Sequence, residues 1–169
     1  MNKYRPPGSC YFKLYFSDIP SNGQDAAFQE VSGINATLET VKVNEGGQNL
    51  YAHKLPGRMS YDDLVLKRGL MVWDSELAQW CWKLLQDGLR QTIEPNTVIV
   101  SLLDAQTRDP IMSWSFVNAY PIKWSVSNFN ASQNAIAMET LTLTYSYFKA
   151  KADGAFYLDD GEAVANLFA

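Results

Sequence analysis

The sequence predicts a mainly β fold with one packed α-helix, and two patterns carry this prediction. Apolar and polar residues alternate with a period of two over several segments, as they do in half-buried strands. One segment, residues 77–85, instead has the apolar spacing of an amphipathic helix. Apolar residues make up 47% and aromatic residues 13% of the 169 positions, which is enough to bury the core of one domain.

Four strands are predicted before the helix, each from apolar residues at alternate positions. They cover residues 10–16, 27–32, 34–43 and 59–68. In the last of them Leu64 and Leu66 face inward, whereas Asp63 and Lys67 face outward. Gly33 ends the second strand.

The helix is predicted from an apolar stripe that lies between a cap and a stop signal. Asp74 or Ser75 can cap its first turn, and Gly88 is placed to end it. The stripe consists of Leu77, Trp80, Cys81, Leu84 and Leu85. Cys81, like Cys10, is predicted to be a reduced thiol rather than half of a disulfide.

Three more strands are predicted after the helix, over residues 97–104, 111–126 and 135–147. The last two are long, and each has an apolar face and a face of small polar residues. The polar residues include Ser113 and Ser115 on one strand and Thr142 and Thr144 on the other. A long strand with an open edge invites pairing with another chain, so these strands predict a partner.

Charge is distributed unevenly along the chain. Residues 1–151 hold all 14 Lys and Arg and 14 of the 18 Asp and Glu, so the net charge of −4 comes from Asp153, Asp159, Asp160 and Glu162. A neutral body without clustered Lys and Arg argues against binding to nucleic acid, because phosphate contacts need such clusters.

No group of residues predicts catalysis, a metal site or a cofactor site. His53 is the only histidine, and no Ser or Cys arrangement is indicated beside it. Adjacent acids such as Asp62 and Asp63 point to opposite sides of a strand and make a poor acid–base pair. Gly46 and Gly47 are not followed by the Lys of a phosphate-binding loop. The protein is therefore predicted not to be an enzyme.

Residues 44–58 are predicted to form an unusually long loop between two strands. Hairpin loops normally have two to five residues, and longer ones usually have a function or are disordered. The apolar residues Leu50, Tyr51, Leu55 and Pro56 would be poorly used at a solvated tip. Two alternatives remain open: the loop covers its own domain, or it is an arm that packs on a neighbouring subunit.

Six short motifs, in order and at matching spacing, resemble the tail-tube protein family of contractile phages and phage-tail-like injection particles. They lie at residues 28–33, 45–47, 54–57, 66–69, 114–121 and 138–143. The resemblance covers about residues 9–148. We therefore divide the chain into a tube-type β domain, residues 1–148, and a C-terminal extension, residues 149–169.

The resemblance implies two packed antiparallel sheets with a flanking helix, in a hexameric ring whose strands join into one β-barrel. Closing a sheet across chains removes its exposed edges. The small polar faces would then line a water-filled lumen. The residues that we predict to face this lumen are Ser113, Ser115, Thr142, Thr144, Asp63 and Lys67.

In the same family a long arm between strands corresponds to residues 44–58, which would reach the neighbouring subunit or the next ring. Glu45 and Lys54 are predicted to be its polar contacts, and Leu50 and Leu55 its apolar anchors. The full set of predicted contact residues is Glu45, Gly46, Gly47, Leu50, Lys54 and Leu55.

The resemblance implies a structural inner-tube component of a contractile injection system or phage tail, without a cofactor. Its expected partners are further tube rings, sheath, baseplate and spike proteins, and protein cargo in the lumen. No signal peptide is visible, so we expect synthesis in the bacterial cytoplasm, assembly into a phage-like particle or virion tail, and no membrane insertion. The alternatives are a type VI secretion ring protein of the haemolysin-coregulated type and a small hydrolase or ligand-binding β-sandwich.

The C-terminal extension departs from the family pattern. Val164, Leu167 and Phe168 share one face of a short helix over residues 161–168, which is too short to be stable without a surface to dock on. A repeated tube subunit does not need such a segment, whereas a ring that joins the tube to the baseplate does. The sequence therefore favours a tube-initiating or adaptor ring, with a tail folded on its own helix as the alternative.

Overall fold

Nine strands and one α-helix make up the described part of the computed structural model, which comprises residues 11–19, 28–47, 49–70, 76–90, 92–104, 106–128 and 137–152. The strands are β1 (Tyr11–Phe16), β2 (Glu30–Ser32), β3 (Ala36–Val43), β4 (His53–Tyr61), β5 (Leu64–Gly69), β6 (Asn96–Leu103), β7 (Pro110–Val126), β8 (Met138–Thr144) and β9 (Tyr147–Ala152). The helix α1 (Glu76–Asp87) continues into a 3-10 turn, Gly88–Arg90. The predicted fold class, mainly β with one helix and antiparallel sheets, is confirmed.

Strand β7 joins two halves of the main sheet. The strand order is β1–β6–β7–β8–β5–β2, all pairs are antiparallel, and β9 also pairs with β7. The first part of β7 lies between β6 and β9, and the second part pairs with β8. We call β1, β6, β9 and the first part of β7 the first half-sheet, and β2, β5, β8 and the second part of β7 the second half-sheet.

Both half-sheets and the helix contribute to one hydrophobic core. The buried core includes Leu14, Phe16, Val98, Val100 and Phe116 from the first half-sheet, Leu64, Leu66, Leu141 and Leu143 from the second, and Leu77 and Cys81 from α1. Burying one such Leu or Phe side chain stabilises the fold by about 1.5–3 kcal/mol. The alternation seen in the sequence therefore identified the correct inward faces of β5 and β8, whereas a bulge in β7 after Pro121 breaks the alternation there.

Helix α1 packs its N-terminal half on the core and leaves the other end of its stripe exposed. The Trp80 ring lies 6.5 Å from that of Phe16, and the Trp82 ring 4.9 Å from that of Trp124. Leu85, predicted to lie in the apolar stripe, is instead exposed. Gly88 has a positive φ of 55° and ends the helix as predicted. The predicted cap, Asp74 or Ser75, lies outside the described residues.

Three predicted boundaries are wrong. The strand predicted over residues 135–147 ends at Thr144, and a separate strand, β9, begins at Tyr147. Residues 44–58 are not one loop, because β4 begins at His53 and pairs with β3. The strand predicted over residues 59–68 is interrupted at Asp62 and Asp63, which separate β4 from β5.

The end of the tube-type domain, predicted at Phe148, falls inside β9. That strand pairs with β7 as far as Ala152. Residues 149–152 therefore belong to the sheet, and residues 153–169, with the predicted short helix, lie outside the described part of the chain.

Candidate assembly surfaces

A two-stranded arm projects from the second half-sheet. Strands β3 and β4 pair only with each other among the described strands, and every residue of the two is exposed except Tyr61 at the root. Strand β2 leads into β3 and β4 leads into β5, so the arm continues the outermost strand pair of the second half-sheet. Both long edges of the arm lack a described partner, and unpaired edges are templates for pairing with another chain.

Apolar side chains lie on both faces of the arm. Leu38 faces Met59 across the two strands, and Val41 faces Leu55, with a β-bulge between the two pairs. Leu38 and Val41 are three positions apart on one strand, so their side chains point to opposite faces. All four side chains are exposed. A ribbon that is apolar on both faces needs cover from more than one direction.

The tip of the arm contains most of the predicted contact residues. The chain turns at Gly46 and Gly47, and Gly47 has a φ of 87°. Leu50 is 90% exposed, as expected for a residue that contacts another chain. The Glu45 carboxylate lies 3.2 Å from Nε2 of His53, so it already has a partner within the arm.

Lys54 and Leu55 lie in β4 rather than in a loop. Lys54 is directly opposite Lys42 of β3, and no carboxylate of the described residues pairs with either ammonium group. Like charges at facing positions destabilise a strand pair. The two lysines therefore favour an acidic contact outside the described part of the chain.

The root of the arm is held by close contacts that the sequence did not reveal. Gly33 has a φ of 87°, and a Cβ atom there would lie 1.9 Å from the Asp63 carbonyl oxygen. The Asn35 side-chain amide donates a hydrogen bond of 2.7 Å to the Asp62 carboxylate. The Tyr61 ring packs on neighbouring aromatic rings of the body. These contacts fix the direction in which the arm leaves the sheet.

Tyr145 lies at the centre of this aromatic group. Its ring is 4.9 Å from Phe116, 6.0 Å from Tyr61 and 6.4 Å from Phe148. The hydroxyl is buried and has no hydrogen-bond partner within the part of the chain that the structure describes. Burial, with a smaller contribution from the Asp62 and Asp63 carboxylates, raises the pKa of Tyr145 to about 12.

Four of the six residues predicted to face a lumen lie on the second half-sheet or beside it. Thr142 is opposite Val65 and Lys123, and Thr144 is opposite Tyr120, on the face that points away from the core. Lys67 shares this face and forms an ion pair of 2.8 Å with Glu30. These strand residues are half-buried, and Asp63 is exposed beside them.

Ser113 and Ser115 lie instead on the first half-sheet, and the prediction that they face water is wrong for the isolated chain. Both point away from the core, as predicted, but Ser113 is 0% and Ser115 8% exposed. The Ser113 hydroxyl lies 2.8 Å from the hydroxyl of Ser101 on β6, so its hydrogen-bonding capacity is satisfied inside the sheet. Their position on the other half-sheet also separates them from Thr142 and Thr144.

The described residues offer little for catalysis or metal binding. No group of three or more His, Cys, Asp or Glu lies close enough together there to hold a metal ion. A cleft of about 720 Å³ beside α1 is lined by Trp80 and by the acids Asp18, Glu76 and Glu94. Lys83 pairs with Glu94 at 3.6 Å, and neither a histidine nor a thiol lines the cleft. No described helix is long and apolar enough to cross a membrane.

Several solved structures resemble this chain. A chain of the anti-feeding prophage (AFP) baseplate is 27% identical, with a TM-score of 0.74 over 89% of this chain and 98% of that one. A chain of the sheath-tube complex of the extracellular contractile injection system PVC is 24% identical, with a TM-score of 0.70 over 87% and 92%. A type six secretion system protein shares the fold alone, with 11% identity and a TM-score of 0.57 over 92% and 90%.

Sequence comparison identifies the family. No curated protein sequence matches the chain. The family described as T4-like virus tail tube protein gp19 matches residues 8–149. This match favours the phage-type tube over the type VI alternative and confirms the resemblance found in the six motifs. Because the match covers most of the chain, the chain belongs to the T4-like virus tail tube protein family, whose members are structural tube proteins.

Proposed function

We propose that six copies of this chain form a ring and that rings stack into the hollow inner tube of a contractile injection particle. One observation carries the proposal: a tail tube family member projects an arm with two open edges and apolar residues on both faces. Open strand edges and exposed apolar residues of this kind mark a surface that contacts other chains. Pairing between copies covers this surface without a different protein.

The second half-sheet is the part that joins a barrel. Its two outermost strands, β2 and the second part of β7, each have an edge without a described partner. Strand β3 continues β2 beyond the body and lengthens that edge. Pairing β2 and β3 of one copy with β7 of the next closes the sheet, and a closed sheet has no exposed edge.

In this arrangement the outer face of the second half-sheet lines the lumen. Thr142, Thr144 and Lys67 then face the channel, with Asp63 at its border, and the paired charges of Lys67 and Glu30 leave the wall close to neutral there. Ser113 and Ser115 lie outside the channel. Lys123, which is exposed opposite Thr142, adds a positive charge to this threonine-lined face. We propose that such a wall serves as a passive conduit for protein cargo, with neither a catalytic role nor a cofactor.

The arm makes the contacts between copies. Leu55, Leu50 and the turn at Gly46 and Gly47 are exposed at or near its tip, and Lys54 with Lys42 forms a cationic pair that suits an acidic contact. Glu45 pairs with His53 inside the arm. We therefore assign Glu45 to holding the shape of the tip and not to a contact between copies.

The comparison structures support a proposal for the partners and the location. Those chains come from a baseplate, and from a sheath-tube complex of an extracellular particle. We infer that this protein binds sheath and baseplate proteins of its own particle, which is assembled in bacterial cytoplasm and released. Since a relative of 27% identity comes from a baseplate, the second candidate function is a baseplate-proximal ring that starts the tube.

Electron microscopy of the purified protein tests the proposal. We expect rings or rods of uniform width in negative stain, with six-fold symmetry in class averages. Light scattering that shows only the 19.0 kDa chain at micromolar concentration, with and without purified baseplate, would contradict it. Gold labelling of a tagged subunit in whole particles separates the two candidates, since a tube-initiating ring is labelled only at the baseplate end.

A further inference from the structure

Lys123 is an exposed lysine at one edge of the second half-sheet. It lies in β7, opposite Thr142 of β8, on the face that points away from the core. None of the ion pairs between described residues includes its ammonium group. On its other side this part of β7 has no described neighbour. A strand that pairs with this open edge can therefore supply a carboxylate to Lys123.

Glu30 is an exposed acid at the opposite edge of the same half-sheet. It lies in β2, shares the outer face with Lys67, and accepts a hydrogen bond of 2.8 Å from the Lys67 ammonium group at Oε1. No ion pair between described residues uses its other oxygen, Oε2. A carboxylate has acceptor sites for more than one ammonium group, so Glu30 can accept a second lysine.

The open edge of β7 presents the backbone groups of inward-facing residues. Successive residues of a strand direct their N–H and C=O groups alternately to the two sides. The Ser127 N–H donates to the Met138 carbonyl oxygen of β8, so Ser125 and Lys123 direct their backbone groups toward β8 as well. The backbone groups of Trp124 therefore lie at the open edge, while its side chain packs against the core.

The open edge of β2 has the same arrangement. Beside β8, the Leu70 N–H donates to the Ala137 carbonyl oxygen. Lys67, three positions earlier, therefore directs its backbone groups to the other side of β5, where it pairs with Glu30. Val31 follows Glu30, so its backbone groups lie at the open edge, and its side chain also packs against the core. The two edges can thus pair without interrupting either face of the sheet.

We propose that the Lys123 ammonium group binds Glu30 of the next copy and thereby fixes the register in which two copies pair. The inference rests on the ring proposed above. Three antiparallel pairings separate β2 from β7, so the two strands run in opposite directions and also pair antiparallel between rotated copies. Beyond the bulge, the outward positions of β7 are Lys123 and Ser125. Only Lys123 offers Glu30 an opposite charge across the strands, which stabilises the pair.

The same register covers an exposed apolar side chain. Ile122 lies at the bulge of β7 and is 43% exposed. When Glu30 faces Lys123, the next residue of β2, Val31, faces Ile122, and the two form an apolar cross-strand pair. A shift by two residues would place Gly33 opposite Ile122, and glycine has no side chain to cover it.

Zero-length carbodiimide cross-linking of assembled rings or tubes of the full chain tests the proposal. Normal and ¹⁵N-labelled subunits are mixed before assembly, and linked peptides are identified by mass spectrometry. We expect Lys123–Glu30 links that include mixed-isotope pairs, because the two residues come from different copies. The Lys67–Glu30 link, which forms within one copy, is the internal control and should contain a single isotope. Dissociated subunits should give only the control link.

The outcome separates this proposal from the proposed function. If electron microscopy shows rings but Lys123 forms no link to Glu30, or only single-isotope links, the register is wrong and the ring stands. If no rings form with or without baseplate, both proposals fail.

Charge inversion gives a second readout. Lys123→Glu places two carboxylates opposite each other, so rings should be lost, while the circular dichroism of the free chain should not change. Inverting all three charges with Glu30→Lys, Lys67→Glu and Lys123→Glu keeps both ion pairs and should restore rings. Wild-type amounts of rings from Lys123→Glu alone, or a folded triple variant that forms none, would overturn the proposal.

Discussion

Arg68 and Glu139 form an ion pair in the buried interior of the second half-sheet, at facing positions of β5 and β8. The indole N–H of Trp124 donates a hydrogen bond of 3.4 Å to the same carboxylate, and the Arg68 guanidinium lies 5.1 Å above the Phe28 ring. Both charges are thus held by neighbours on several sides. Arg68 shares the inward face of β5 with Leu64 and Leu66, but a sequence pattern alone does not identify a buried partner 71 positions away.

Removing one partner of this pair should be strongly destabilising. We expect Glu139→Ala or Arg68→Ala to lower the free energy of unfolding by about 3–5 kcal/mol, because the remaining charge stays buried without its counter-ion. Lys67→Ala, which breaks the exposed Lys67–Glu30 pair on the neighbouring position, should cost less than about 1 kcal/mol. Urea denaturation followed by tryptophan fluorescence measures both. If Lys67→Ala lowered the free energy of unfolding as much as Glu139→Ala or Arg68→Ala, the assignment of Arg68 and Glu139 as a buried ion pair would be contradicted.

Gly33 and Gly47 share a φ of 87° but differ in their surroundings. Gly33→Ala places a methyl group against the Asp63 carbonyl, whereas Gly47→Ala meets open space. We expect Gly47→Ala to cost about 1 kcal/mol from the backbone alone, and Gly33→Ala to cost clearly more and to redirect the arm. Thermal unfolding and ring formation by gel filtration check this. A Gly33→Ala variant that matches Gly47→Ala in both measurements would show that the root is not a fixed joint.

Exposed apolar residues of the arm should matter for assembly and not for folding. Val41→Ser combined with Leu55→Ser should change the stability of the isolated chain by less than about 0.5 kcal/mol per site, as surface substitutions usually do. Rings and tubes should nevertheless be lost, because the arm loses apolar contacts with the next copy. Leu85→Ser, at an exposed leucine of α1, is the matched control and should still assemble. Full-length tubes from the double variant in negative stain would refute the role of the arm.

Strand β4 shows where sequence patterns fail, and β8 shows where they succeed. Leu141 and Leu143 alternate with threonines because one face of β8 is buried. The burial of one face therefore appears in the sequence as a period of two. Residues 53–60 of β4 are exposed on both faces and include Pro56 and Gly57. No period therefore appears, and the sequence assigns residues 53–58 to a loop. β4 is a strand because it pairs with β3 and, in the proposed tube, contacts other chains. These contacts leave no periodic pattern in a single sequence.

Tyr145 predicts a loss of stability at high pH. Its pKa is raised to about 12 in the folded chain, above the value near 10 of an unfolded tyrosine. The unfolded state therefore loses this proton first as the pH rises, and stability should fall between about pH 10 and 12. Other tyrosines also titrate there, so the measured quantity is the difference between wild type and Tyr145→Phe. The variant should lack this contribution and, at pH 7, should be as stable or more stable, since it removes an unpaired buried hydroxyl. Parallel pH profiles of the two proteins would argue against it.

Thr142 and Gln79 should differ in their access to reagents once tubes have formed. Thr142 lies on the face that we propose lines the lumen, whereas Gln79 is exposed on α1, which packs on the opposite, core side of the sheet. In dissociated subunits, Thr142→Cys and Gln79→Cys should both react with a small maleimide and with a maleimide on a large polymer. In assembled tubes the small reagent should still reach the thiol at position 142 through the bore, but the polymer should not. The thiol at position 79 should remain open to the polymer wherever the sheath is absent. Gel shifts measure each reaction. Polymer labelling of position 142 in intact tubes at the rate seen in free subunits would place Thr142 outside the channel and assign the lumen to another face.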